Sequence, residues 1–247
     1  MVFSGLQTLE LECVSHLHKI VAFFNRIAGN TDNPHHIPLF DTVHSLAIKT
    51  CMIPEDQQDS AYIELTEFIM NFRNLRAVNL KALRIGENLG DMLQCFRRDN
   101  LKELSLEMNG IEPDFCVYFK HMLNFETIEH LNISFNWIGM EGLEHMREHF
   151  KTFKRLKILN LTSNKLFLMP DHRTENLRDM LLDVKDTLEE LHLAENTIEK
   201  VDFDILSPAL AALPHLKYLN CTKNRINGQA LRRYLDLCIA NQNSVLE

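Results

Sequence analysis

The sequence predicts an α/β fold: a right-handed solenoid of about eight strand–helix repeats, with one parallel sheet on its concave face and helices on its convex face. Three observations carry this expectation. An apolar frame recurs eight times, with successive steps of 37, 32, 26, 27, 28, 32 and 28 residues. A bulky apolar residue stands three places before the frame in six copies, and five of the six are phenylalanine. The composition is globular, 45% hydrophobic and 24% charged over 247 residues; only 8 Gly and 7 Pro exclude a collagen-like or Gly-rich linker chain.

The frame is fullest in the second half. Leu101, Leu104, Leu106, Asn109 and Ile111 form the pattern LxxLxLxxNxI. It returns as Ile128, Leu131, Ile133, Asn136, Ile138, and as Leu156, Leu159, Leu161, Asn164, Leu166. Two more copies are Leu188, Leu191, Leu193, Asn196, Ile198 and Leu216, Leu219, Cys221, Asn224, Ile226. Upstream, Leu75, Val78, Leu80, Leu83 and Ile85 keep the apolar sites and lose the Asn. Val43, Leu46, Ile48, Cys51 and Ile53 put Cys in its place, and Leu6, Leu9, Leu11 and Val14 begin the series. The phase marks are Phe3, Phe40, Phe72, Phe125, Phe153 and Leu213.

Each unit opens with a strand whose LxL pair faces one way and whose intervening residues face the other. The remainder is helical. In the fifth unit, Leu143, Met146, Phe150 and Phe153 make one apolar stripe at spacings of 3, 4 and 3. A single unit cannot bury both its strand and its helix stripe, whereas stacked neighbours can. Residues 26–42 and 169–176 exceed the repeat; they hold turn formers and read as loop insertions.

These copies resemble the leucine-rich repeat family over essentially the whole chain, and steps near 28 residues are similar to its ribonuclease-inhibitor-like cytosolic subclass. That subclass includes inhibitor proteins, Ran GTPase-activating proteins and the sensor ends of NOD-like receptors. The resemblance implies that the Asn side chain bonds backbone groups where the strand turns away, with Cys51 doing so more weakly. Residues 1–247 are expected to be one domain. The first strand opens without a polar cap, which reads as a fragment of a longer protein.

Function classes narrow further. A net charge of -8 disfavours sequence-independent binding of nucleic acid phosphates. No apolar run approaches the roughly 20 residues that cross a bilayer. Six scattered cysteines form no CxxC or zinc spacing, which fits a reducing, cytoplasmic compartment. Asn132, Asn160 and Asn220 head Asn-x-Ser/Thr triplets, potential glycan acceptors, but they share one repeat position.

Chemical motifs are few. His145-Met-Arg-Glu148-His149 fits H-x-x-E-H, yet it lies between core positions of a solenoid helix with no third ligand. His16, His18, His35 and His36 suggest no tetrahedral set. There is no GxSxG elbow, GxGxxG or phosphate loop. No cofactor, metal or catalytic residue is expected.

The concave face is the functional candidate. Its outward columns include Glu103, His130 and Tyr218; Asn132, Asn160, His192 and Asn220; Glu107, Ser134, Thr162 and Ala194; and Met108, Phe135 and Glu195. Trp137, the only Trp, follows Asn136 in the exit loop. Exposed aromatics in a polar setting are typical interface anchors. The candidate partner-binding set is therefore Glu103, Glu107, Met108, His130, Phe135, Trp137, His192, Glu195 and Tyr218, facing a protein partner. The expected function is a non-catalytic scaffold for protein–protein interaction. The alternatives are a GTPase regulator of the Ran-activator type, which the resemblance permits, and an extracellular receptor fragment.

Overall fold

The computed structural model describes residues 5–28, 39–51, 53, 58–96, 100–121, 125–169 and 173–244. Eight strands form one sheet in chain order: β1 (Thr8–Glu12), β2 (Ser45–Lys49), β3 (Ala77–Lys81), β4 (Glu103–Ser105), β5 (His130–Asn132), β6 (Ile158–Asn160), β7 (Glu190–His192) and β8 (Tyr218–Asn220). Every neighbouring pair is parallel. The register follows the frame without a slip: Leu104 pairs with Leu131, Leu131 with Leu159, and Leu159 with Leu191. The α/β solenoid is therefore present as its repeat demands.

The helices return the chain from one strand to the next. They are α1 (Leu17–Ala28), α2 (Leu39–Thr42), α3 (Gln58–Asn71), α4 (Leu89–Gln94), α5 (Gly139–Phe150), α6 (Thr174–Asp183), α7 (Lys200–Ala211) and α8 (Gly228–Ser244). The fourth unit uses a nine-residue 3₁₀ segment, Pro113–His121, where the fifth has the twelve-residue α5. At ~2.0 Å rise per residue against ~1.5 Å, both spans cover about 18 Å. The tighter helix lets a short unit match the width of its neighbour.

One continuous apolar core lies between sheet and helices, and it takes in the phase-marking Phe40, Phe72, Phe125, Phe153 and Leu213. Phe40, Phe68 and Phe72 meet edge to face, with the closest ring centres 5.0 Å apart, a geometry that adds to area burial. Phe3 lies outside the described residues. The close approach of α5 to the 3₁₀ segment depends on Gly142: a Cβ there would stand 2.8 Å from Cys116 Sγ and 2.8 Å from Ile138 Cγ2.

Two expected insertions resolve differently. Within 26–42, α1 continues to Ala28 and α2 begins at Leu39; residues 29–38 are outside the described set. Within 169–176, Thr174, Glu175 and Asn176 do not break a helix but open α6. Thr and Asn disfavour helix interiors yet suit a first turn. Thr174 is buried, and its hydroxyl donates to Asp202 at 2.9 Å, tying α6 to α7. Residues 170–172 lie outside the described set.

The polar spine is the asparagine ladder. Asn136 Oδ1 accepts the N–H groups of Asn109 (2.9 Å) and Ile111 (3.1 Å), while its Nδ2 donates to Leu106, Ile133 and Ser134 carbonyls. Asn109, Asn196 and Asn224 repeat the arrangement one unit at a time. Cys51, in the same place, sits with Sγ 3.3 Å from the Lys49 carbonyl and 3.5 Å from that of Leu11, a weaker substitute. A second ladder marks the start of the strands. Lys102, Glu129, Lys157, Glu189 and Lys217 alternate in sign, and Glu129 takes both Lys102 and Lys157 at 2.7 Å.

Candidate functional site

The sheet's open face forms a shallow basin of about 360 Å³ across β1 to β6, floored by outward residues such as Glu10, Asn79, Ser105 and Asn132. Among the candidate residues, Glu103 is exposed and His130 half-buried, with Nδ1 3.7 Å from the Glu103 carboxylate. Glu107 pairs with Lys81 at 2.8 Å and Glu195 with Lys223 at 2.6 Å. His192 and Tyr218 are adjacent, their ring centres 5.2 Å apart, and His192 Nε2 lies 3.7 Å from Glu190. Met108, Phe135 and Tyr218 are exposed by 55%, 42% and 49%, so they are not spent on packing.

The third outward column is not uniformly outward: Ser134 and Ala194 are buried. The reason is local. The chain bends into its exit turn at these residues, and the Ser134 hydroxyl folds back onto Asn132 Oδ1 at 2.7 Å. Asn160 and Asn220 make the same short turn, accepting the N–H of Thr162 and Thr222. The three Asn-x-Ser/Thr triplets thus share one turn chemistry.

The outward columns do not disclose the backbone conformation just after the strands. Cys13, Thr50, Ala82, Met108, Phe135, Ser163, Glu195 and Lys223, one per unit, all adopt φ between 52° and 60°. Non-glycine residues reach this left-handed region at a cost of roughly 1–2 kcal/mol. The turn is held because the strand ladder runs through it: Met108 N–H donates to the Ser134 carbonyl at 3.0 Å, and Phe135 N–H to that of Thr162 at 2.8 Å. At two consecutive units this strained position carries a large exposed apolar side chain. The frame holds a signal for it, since the residue before each ladder Asn occupies the position.

Trp137 departs from the concave set. Its backbone N–H donates to the Ile111 carbonyl at 2.8 Å, and the indole turns to a separate cleft of about 760 Å³ on the exit-loop rim. The Lys165 ammonium stands 4.1 Å from the centre of its ring. Met140, Glu141 and Leu168 also line this cleft, beyond the reach of the concave columns.

In the histidine motif on α5, His149 is taken by packing, while His145 and Glu148 are exposed. His149 stacks on Phe125 with ring centres 5.4 Å apart, and burial pushes its pKa down. Glu148 pairs with Lys151 at 2.8 Å. Among the described residues no three His, Cys, Asp or Glu side chains are grouped to hold a metal. His35 and His36 lie outside the described residues. No described helix is long and apolar enough to cross a membrane.

A Leucine Rich repeat family model matches residues 126–146. The match spans β5, Asn136, Trp137 and the first two thirds of α5, and it supports a leucine-rich-repeat protein. Repeats of this family generally mediate protein–protein interaction. A search of curated proteins finds no match to the chain.

Proposed function

We propose that this chain is a non-catalytic scaffold of the ribonuclease-inhibitor-like type that captures a protein partner on its concave face and exit turns. The observation that carries the reading is the exposure of Met108 and Phe135 in left-handed backbone. The left-handed turn recurs in every unit; what sets these two apart is the large apolar side chain left exposed on it, which favours a role in binding. Tyr218 and His192 supply a second aromatic point, and Glu103, Glu107, His130 and Glu195 a polar setting. Pre-formed strands lose little entropy on binding. The single sheet and single continuous core support treating the chain as one domain. A reducing, cytoplasmic setting is the reading supported by six free thiols, three of them buried.

The test is affinity capture from cell lysate followed by mass spectrometry, run in parallel on variants. Truncating an aromatic anchor typically costs about 2 kcal/mol, roughly thirtyfold in affinity. A partner retained by the native chain and by Glu148→Gln should be lost from Phe135→Ala and Tyr218→Ala. Loss from Glu148→Gln with the concave variants silent would move the site to the helical face.

A further inference from the structure

We propose that the exit-loop rim cleft is a second docking site, and that its occupant is a linear protein segment presenting an arginine or lysine beside bulky apolar side chains. This site is independent of the concave face; the cleft alone carries it.

The cleft has the volume of a ligand site, about 760 Å³ against the roughly 300–1,000 Å³ usual for such sites. That is room for a few side chains and not for a folded domain. Its floor is apolar, with Met140 buried and Trp137 and Leu168 exposed by 54% and 51%. Its mouth is acidic. Glu112 and Glu141 line it, and neither is in an ion pair among the described residues, whereas Glu144 faces Arg173 at 3.9 Å. Uncompensated carboxylates around an aromatic floor complement a cation with an apolar stem.

The chain already shows that chemistry. Lys165 places its ammonium 4.1 Å over the Trp137 ring, where the negative face of the indole attracts a cation. Lys165 thus acts as an internal stand-in that an incoming arginine displaces, since a planar guanidinium stacks better on an aromatic face.

The backbone beneath is built differently from its neighbours. In the units on either side, a ladder Asn Oδ1 accepts two N–H groups, as Asn136 does from Asn109 and Ile111 and Asn196 does from Asn164 and Leu166. Asn164 is fully buried, and its Oδ1 has no donor among the described residues. The turn of the fifth unit differs from both neighbours in its backbone: the residue after the ladder Asn is left-handed at Gly110 (φ 67°) and Lys165 (φ 56°), whereas Trp137 is not, and the left-handed residue is Gly139 (φ 61°). A buried acceptor left without a donor is costly, and local rules are broken in this way where function takes precedence. Trp137 lies in this turn and lines the cleft.

The test uses the single Trp as its reporter. The probe is a pool of hexapeptides with a central arginine flanked by Leu, Met, Phe and Ala, titrated against the whole chain while Trp137 emission is followed. A matched pool with citrulline keeps the shape and removes the charge. The arginine pool should give a saturable change that weakens about threefold to tenfold in Glu112→Gln or Glu141→Gln and in high salt, as expected for a rim charge. Lys165→Asn, which suits the left-handed φ of 56° at that position, should tighten it about threefold by removing the competing cation. Phe135→Ala should leave it unchanged, which separates this site from the concave one. No saturable change at millimolar peptide, equal binding of the citrulline pool, or indifference to both glutamate variants would overturn the proposal.

Discussion

The Asn136 side-chain oxygen accepts the backbone N–H of Asn109 at 2.9 Å, one repeat away. This is the contact by which each unit sets the turn of the unit before it. Asn136→Ala leaves the N–H groups of Asn109 and Ile111 and the Leu106 carbonyl short of a partner in a buried interior, whereas the Ile133 and Ser134 carbonyls keep Asn164 Nδ2 and the Met108 N–H. Each orphaned buried group costs about 1–3 kcal/mol before relaxation. The expected loss is on the order of 4 kcal/mol, read from the urea midpoint, and a loss below about 1 kcal/mol would contradict the structural role.

Gly142 allows α5 to lie against the 3₁₀ segment of the preceding unit. Gly142→Ala gains about 1 kcal/mol of helix propensity. It also forces a methyl within 2.8 Å of both Cys116 Sγ and Ile138 Cγ2 and within 3.3 Å of the Pro113 backbone. Overpacking of this kind costs about 1–3 kcal/mol. The net effect should be destabilising by about 1 kcal/mol in thermal or urea unfolding; an increase in stability would show that the interface yields freely.

Glu129 lies between Lys102 and Lys157, and bonds from both hold its pKa down at about 2, below the usual 4.5. A depressed folded-state pKa stabilises the fold above the unfolded value and loses that contribution as pH falls through the folded one. The ladder's contribution should therefore be complete above about pH 4.5 and fade toward about pH 2. Glu129→Gln should flatten part of the acid limb of the stability–pH curve in that window. Glu189 and Asp204, also lowered by lysine or arginine bonds, account for a remainder. An unchanged acid limb would mean that the ladder is neutral.

Met108 trades stability for an exposed surface. Asparagine tolerates left-handed backbone better than methionine does. Met108→Asn should therefore raise stability by about 0.5 kcal/mol while weakening any partner of the concave face. A fall in stability would show that the thioether packs on its neighbours more than its 55% exposure indicates.

Much of the fold is legible in the chain's one-dimensional pattern, and Leu131 shows why. Its type, its distance from Leu104 and Leu159, and its burial all follow from one period, because a stacked repeat has only nearest neighbours to satisfy. The ladder from Lys102 to Lys217 is equally present in the frame, one place after each first apolar site, and needs only to be followed across units. The exposed places of Phe135 and Tyr218 follow from the same phase.

Strand register, the buried frame, the asparagine spine and the order of the sheet are all written in the amino-acid pattern, because each is a local interaction repeated at a fixed step. Where departures from that step lead is settled only by folding. Ser134 and Ala194 turn inward because the exit bend begins at them, and Thr174 opens a helix because Asp202 of the next unit takes its hydroxyl. Trp137, in the exit loop, lines the rim cleft beneath Lys165 and not the concave basin. The step places these residues beside one another, but which side chains then bond, bury or stack depends on their individual chemistry, so these outcomes exist only once the units are stacked.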